Sequence, residues 1–88
     1  MPVKFRLEPT KTFKKSLKKL SGNEQRTVSE KLKILAKDPF HPSLRTKKVQ
    51  RLKDVFECSI NMDIRLLWTY NGDRLILLID IGHHNILG

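Results

Sequence analysis

Residues 55–88, VFECSINMDIRLLWTYNGDRLILLIDIGHHNILG, constrain the fold more than any other stretch of this chain. They read as three antiparallel strands joined by tight turns. Asn71-Gly72 is the strongest short hairpin signal, a two-residue type I′ turn. It would pair Tyr70 with Asp73, Trp68 with Leu75, Leu66 with Leu77 and Ile64 with Ile79. An earlier turn around Asn61-Met62-Asp63 would pair Ile60 with Ile64 and Ser59 with Arg65. Side chains alternate across a strand, so these registers sort the meander into two faces. Phe56, Cys58, Ile60, Ile64, Leu66 and Trp68 share the expected core face with Leu75, Leu77, Ile79 and Ile81. The opposite face takes Glu57, Ser59, Arg65, Leu67, Thr69, Ile76, Leu78 and Asp80. If the strand direction persists past Gly82, His84 joins this second face and His83 does not.

The first half has helical periodicity. Val3 to Leu7 alternates apolar and polar as a strand does, and Pro9 ends it. Thr10 can cap a helix to about Leu20, on which Phe13, Leu17 and Leu20 form one stripe. Gly22 suits a left-handed helix end and Asn23 the next cap. Val28, Leu32 and Leu35 then repeat at helical spacing until Asp38-Pro39 stops the second helix. A connection this short makes the two helices an antiparallel hairpin. Residues 44–53 read as a loop or irregular edge strand, where lysines discourage mispairing. The expected architecture is α+β, in the order β-α-α-β-β-β, with the helical hairpin on one face of a small antiparallel sheet. The 88 residues suit a single domain, 1–88.

Charge separates along the same boundary. Residues 1–53 carry 16 Lys/Arg against 4 Asp/Glu, a balance of +12; residues 54–88 carry 2 against 5, a balance of −3. The basic residues therefore cluster on the helices and the linker, which suits a polyanionic partner such as nucleic acid or the ribosome. A lysine surface that only aids solubility is the plainer alternative. Cys58 is the lone cysteine, which excludes an intramolecular disulfide and fits a reducing cytoplasm. No apolar run reaches the roughly 20 residues of a membrane span. There is no phosphate-cradling glycine loop, no nucleophile elbow and no spaced metal-ligand set; neither a metal nor a cofactor is expected.

The second face of the meander gathers the residues with chemistry to offer. Arg65 is a charge inside an apolar strand and needs a partner or a purpose. An ion pair with its diagonal neighbour Glu57 is the structural explanation. The functional one is that its guanidinium clamps a phosphate, with Glu57 as base and His84 as acid. Leu67, Ile76 and Leu78 on the same face look like exposed apolar ground, as a binding surface would have.

KTFKKSLKKL, the DPFHPSLRTKKV linker, the N-x-D-x-R-L-L-W strand and the DIGHHNIL ending together resemble the RelE/ParE toxin superfamily, specifically its RelE/YafQ/YoeB-like members. The resemblance spans nearly the whole chain. It implies a type II toxin silenced by a cognate acidic antitoxin. It implies metal-independent cleavage of mRNA on the ribosome, with the 2′-hydroxyl as nucleophile. Arg65 matches the arginine that steadies the scissile phosphate, and His84 the near-terminal proton donor. Glu57 and Asp63 fall where YafQ-like members place acidic active-site residues. Arg45, Lys47, Lys48, Arg51 and Lys53 occupy the basic stretch expected to contact RNA or ribosome. Two features depart from the pattern: Asp80 stands near where RelE carries an arginine, and the tail Asn85-Ile86-Leu87-Gly88 has no aromatic residue. The same fold also hosts ParE-like gyrase inhibitors, and a non-catalytic RNA-binding protein is a further alternative.

Overall fold

The computed structural model describes residues 4–83. The elements are β1 (Arg6–Pro9), α1 (Lys11–Leu17), α2 (Gly22–Lys37), β2 (Lys47–Lys48), β3 (Phe56–Ser59), β4 (Ile64–Tyr70) and β5 (Leu75–His83), with a 3₁₀ turn at Pro42–Leu44. Two helices pack on a five-stranded sheet of order β1-β5-β4-β3-β2. This is the expected α+β plan with one strand more, and with one pair parallel where the expectation was antiparallel throughout. The basic linker supplies β2, an edge strand antiparallel to β3. The N-terminal strand joins the far edge, where it runs parallel to β5.

Thr10 links β1 to α1. Its backbone N–H donates to Leu78 O at 3.1 Å. Its hydroxyl donates towards the carbonyls of Leu78 (2.8 Å) and Ile79 (3.0 Å) and accepts from Phe13 N–H as the helix cap. β1 starts later than the alternation predicts and includes Pro9; a proline is tolerated on an edge strand because the missing N–H faces no neighbour there. α1 stops at Leu17, and residues 18–20 tighten into i→i−3 bonds from Lys19 to Ser16 and from Leu20 to Leu17.

The second helix begins two residues earlier than an Asn23 cap would give. Ser21, not Asn23, is its cap. The Ser21 hydroxyl accepts from Glu24 N–H at 3.1 Å, and the Glu24 carboxylate accepts from Ser21 N–H at 2.9 Å. This reciprocal box satisfies two orphan donors at once, more than a lone asparagine cap can do. Gly22 is the first helical residue and needs no left-handed conformation.

The β4–β5 register also differs from the expectation. Tyr70 pairs with Ile76 and Trp68 with Leu78. The connection is wider than two residues: Asn71 N–H bonds Leu75 O at 2.8 Å around a tip in which Gly72 has φ 80°. The offset of three residues is odd, so it reverses the faces of the first half of β5. Ile76 and Leu78 are buried core residues, while Leu75 and Leu77 are half-buried. A β-bulge then inserts Ile79, after which Leu67 pairs with Asp80 and Leu66 with Ile81. The extra residue restores the parity expected for Ile81 and Asp80. The core gathers Phe13, Leu20, Val28 and Leu35 from the helical hairpin and its turn over Cys58, Ile64, Leu66, Trp68, Ile76, Leu78 and Ile81. Burying this ground is what fixes the register.

Two of the three residues that made the second face look apolar therefore belong inside. Leu67 remains on that face, and it is itself buried. Tyr70 is 38% exposed and lies edge-on to Trp68 at the end of an aromatic row with Phe56 and Phe40.

Candidate functional site

β3 and β4 place Glu57 opposite Leu67 and Ser59 opposite Arg65, as the turn predicts. Arg65 and Glu57 thus share a face, but they are not an ion pair. The Glu57 carboxylate meets Lys47 Nζ at 3.7 Å, across the β2–β3 pair. Glu57 is 8% exposed, whereas the lysine side chain is largely in solvent.

Arg65 turns the other way. Its Nη1 donates to the carbonyls of Asn61 (2.7 Å), Met62 (3.2 Å) and Ile64 (3.2 Å). The β3–β4 turn that presents these carbonyls is itself tied by Asn61, whose Oδ1 accepts from the N–H groups of Asp63 and Ile64, both at 2.8 Å. The guanidinium is thus locked by one nitrogen. Its Nη2 and Nε make no hydrogen bond with the described residues, which leaves donors of a planar fork for a ligand. Asp63 stays exposed on the turn.

Arg65 forms part of the wall of an open cleft of about 310 Å³. The other walls come from Lys31 of α2, Ser43 within the 3₁₀ turn and Arg45 just after it, Ser59, and the turn residues Ile60 to Met62. Arg45 holds φ 50°, with its N–H closing the 3₁₀ turn on Pro42 O at 3.2 Å. Among the described residues, the cleft wall carries three cations and no carboxylate.

A second, open groove runs along β2, lined by Lys47, Lys48, Val49, Gln50 and Glu57. Val49 N–H bonds Val55 O at 2.8 Å and folds residues 50–54 into a tight loop, on which Arg51 and Lys53 are exposed. His83 pairs with Ile64 and brings Nε2 to 3.5 Å from Glu24 Oε2, so it lies on the helix side as expected. His84 lies outside the described residues. Cys58 is buried, and desolvation first, then the neighbouring Glu57 charge, pushes its thiol up to about 12.

A family model described as "Bacterial toxin of type II toxin-antitoxin system, YafQ" matches residues 5–88. The chain belongs to this toxin family. The fold is also that of RelE in the RelE–RelB complex from Pyrococcus horikoshii OT3, with a TM-score of 0.77 at 20% identity, covering 94% of this chain and 98% of that one. YafQ from E. coli strain BL21(DE3) matches with a TM-score of 0.68 at 18% identity, covering 94% and 97%. YafQ in the E. coli DinJ–YafQ complex matches with a TM-score of 0.68 at 19% identity, covering 96% and 99%. No curated protein sequence matches the chain.

In this toxin the sequence-predicted residues fall into two neighbouring groups. Arg65 and Arg45 line the cleft; Glu57, Lys47 and Lys48 line the β2 groove. Lys31 was not anticipated. A signal for it exists, since Lys31 sits within the stripe Val28, Leu32, Leu35 and is half-buried. A lysine on the buried side of an amphipathic helix marks a charge aimed at something. No described helix is long and apolar enough to cross a membrane.

Proposed function

We propose that this toxin, acting as one domain in the cytoplasm, is a ribosome-dependent endoribonuclease that cuts mRNA without a metal. The observation that carries the reading is Arg65: a guanidinium anchored to three turn carbonyls, with Nη2 and Nε left to meet a phosphate. In the reaction the 2′-oxygen attacks phosphorus, the P–O5′ bond breaks, and a 2′,3′-cyclic phosphate and a free 5′-hydroxyl result. Glu57 takes the 2′-hydroxyl proton and His84 supplies a proton to the leaving 5′-oxygen. Asp63 supports the site from the turn. Arg65 meets the charge that grows on the phosphorane oxygens. Arg45, Lys47, Lys48, Arg51 and Lys53 hold the RNA or ribosomal backbone through phosphates. A cognate acidic antitoxin covers this basic surface when the toxin is silent; RelE and YafQ relatives have been crystallised with RelB and DinJ.

The test is reconstituted translation with toeprinting. The parent should yield cut message at the ribosomal A site, and Arg65→Ala should not. Equal cleavage by both overturns the mechanism. A binding-only reading draws on the tail Asn85-Ile86-Leu87-Gly88, which offers no aromatic residue to stack on a base. It predicts stalled ribosomes on intact message in the same assay.

A further inference from the structure

The cleft beside Arg65 contains more positive charge than one scissile phosphate requires. Lys31, Arg45 and Arg65 come from three separate segments: a helix, a 3₁₀ turn and a strand. No acidic side chain lines the cleft, and Lys31 and Arg45 make no ion pair with the described residues. Like charges gathered without a counter-ion repel one another, and an anion bound among them relieves that repulsion. The volume, about 310 Å³, is at the lower end of the range for small-ligand sites and exceeds what one phosphate group fills. Ser59 adds a hydroxyl with no hydrogen-bond partner among the described residues. Ser43 is already engaged, its hydroxyl 2.8 Å from His41 Nδ1. That contact holds the turn from which Arg45 projects.

We infer that this cleft is a phosphate subsite for the RNA backbone, in which Lys31 and Arg45 grip a phosphodiester next to the one Arg65 contacts. The inference rests on the reading that RNA crosses the β3–β4 face. It adds the helical hairpin to the substrate-binding surface. Lys31 and Arg45 are positioning residues here: they hold the strand so that the neighbouring phosphate lies against Arg65, and they touch no reacting atom.

The experiment uses the intact toxin with two probes. The first is inorganic phosphate, compared with chloride at equal ionic strength. Thermal unfolding of the parent should rise by roughly 5 °C once phosphate exceeds its Kd several-fold. Lys31→Gln and Arg45→Gln should lose that rise, Lys31→Arg should keep it, and Lys33→Gln, on an exposed position of α2, should behave as the parent. The second probe is a short single-stranded RNA with 2′-O-methyl sugars, which cannot be cut. Lys31→Gln and Arg45→Gln should each weaken its binding about tenfold and reduce the salt slope by about one. If Lys31→Gln and Arg45→Gln respond to phosphate and bind this RNA as the parent does, the subsite is refuted, whatever Arg65→Ala does to cleavage. If they lose both responses while Arg65→Ala still cleaves, the subsite stands and the nuclease mechanism falls.

Discussion

Arg65 shows both the reach and the limit of reading single residues. Its place beside Ser59 follows from the β3–β4 turn, and its need for partners follows from its charge. The partners themselves did not follow, because a register gives neighbours and not rotamers. Three turn carbonyls won over Glu57, and backbone carbonyls are invisible in a sequence. Arg65→Ala should reduce cleavage by about 10²–10³. It should also cost about 1 kcal/mol of stability, since the lost bonds are partly exposed ones on the turn. Arg65→Lys keeps the charge without the fork, so it should recover stability less than fully and activity hardly at all. Urea unfolding and toeprinting on the same preparations check both effects. His84→Gln should cost about 10²–10⁴ in cleavage if it is the acid, whereas His83→Gln, facing the helix side, should cost little. Cys58 was read as a core residue and is one. With its thiol pushed up to about 12, it should resist alkylation at pH 8 in the folded toxin and react only after unfolding, as mass spectrometry would record.

At the level of elements, helix stripes and strand alternation were legible, and ends and registers less so. The hairpin offers a direct test. Leu78 is 2% exposed and Leu77 only half-buried, the reverse of the assignment that a two-residue Asn-Gly turn gives. Leu78→Ala should cost about 2–5 kcal/mol and Leu77→Ala distinctly less. The misreading has a physical cause: Asn71-Gly72 does supply the left-handed glycine, but burial of Ile76 and Leu78 outweighs local turn preference and widens the loop. The α2 cap was misplaced for a similar reason, because Ser21 and Glu24 act as a pair. Ser21→Ala should cost about 1 kcal/mol. Glu24 has its carboxyl held below the ordinary range, chiefly by the Ser21 backbone N–H. A carboxylate whose folded value is depressed stabilises above its unfolded value, and the benefit disappears as pH falls through the folded one. The denaturation midpoints of Glu24→Gln and the parent should therefore differ near neutrality and converge as the pH drops below the ordinary glutamate range.

For the whole molecule, the order of helices and strands was readable, as was the basic half facing an acidic meander. The sheet order was not, because no short motif announces that β1 will run parallel to a strand made long after it. The charge asymmetry predicts that RNA or ribosome binding falls steeply with salt. Charge reversal at Lys47, Lys48 and Arg51 should flatten that dependence in a filter-binding titration. The position of β5 decides when the chain can complete its sheet. It bonds β1 on one side and β4 on the other, and the Thr10–Leu78 contact spans 68 residues. On a translating ribosome β1 has no partner until β5 emerges, and at roughly 5–20 residues per second that wait lasts several seconds. Nascent chains stalled before Leu75 should be cut readily by protease, whereas chains stalled beyond the emergence of His83 should resist. Until then the polypeptide leaving the tunnel can pair β2, β3 and β4 but lacks the strand that joins β1 to them, so the five-stranded sheet closes only with the last residues made.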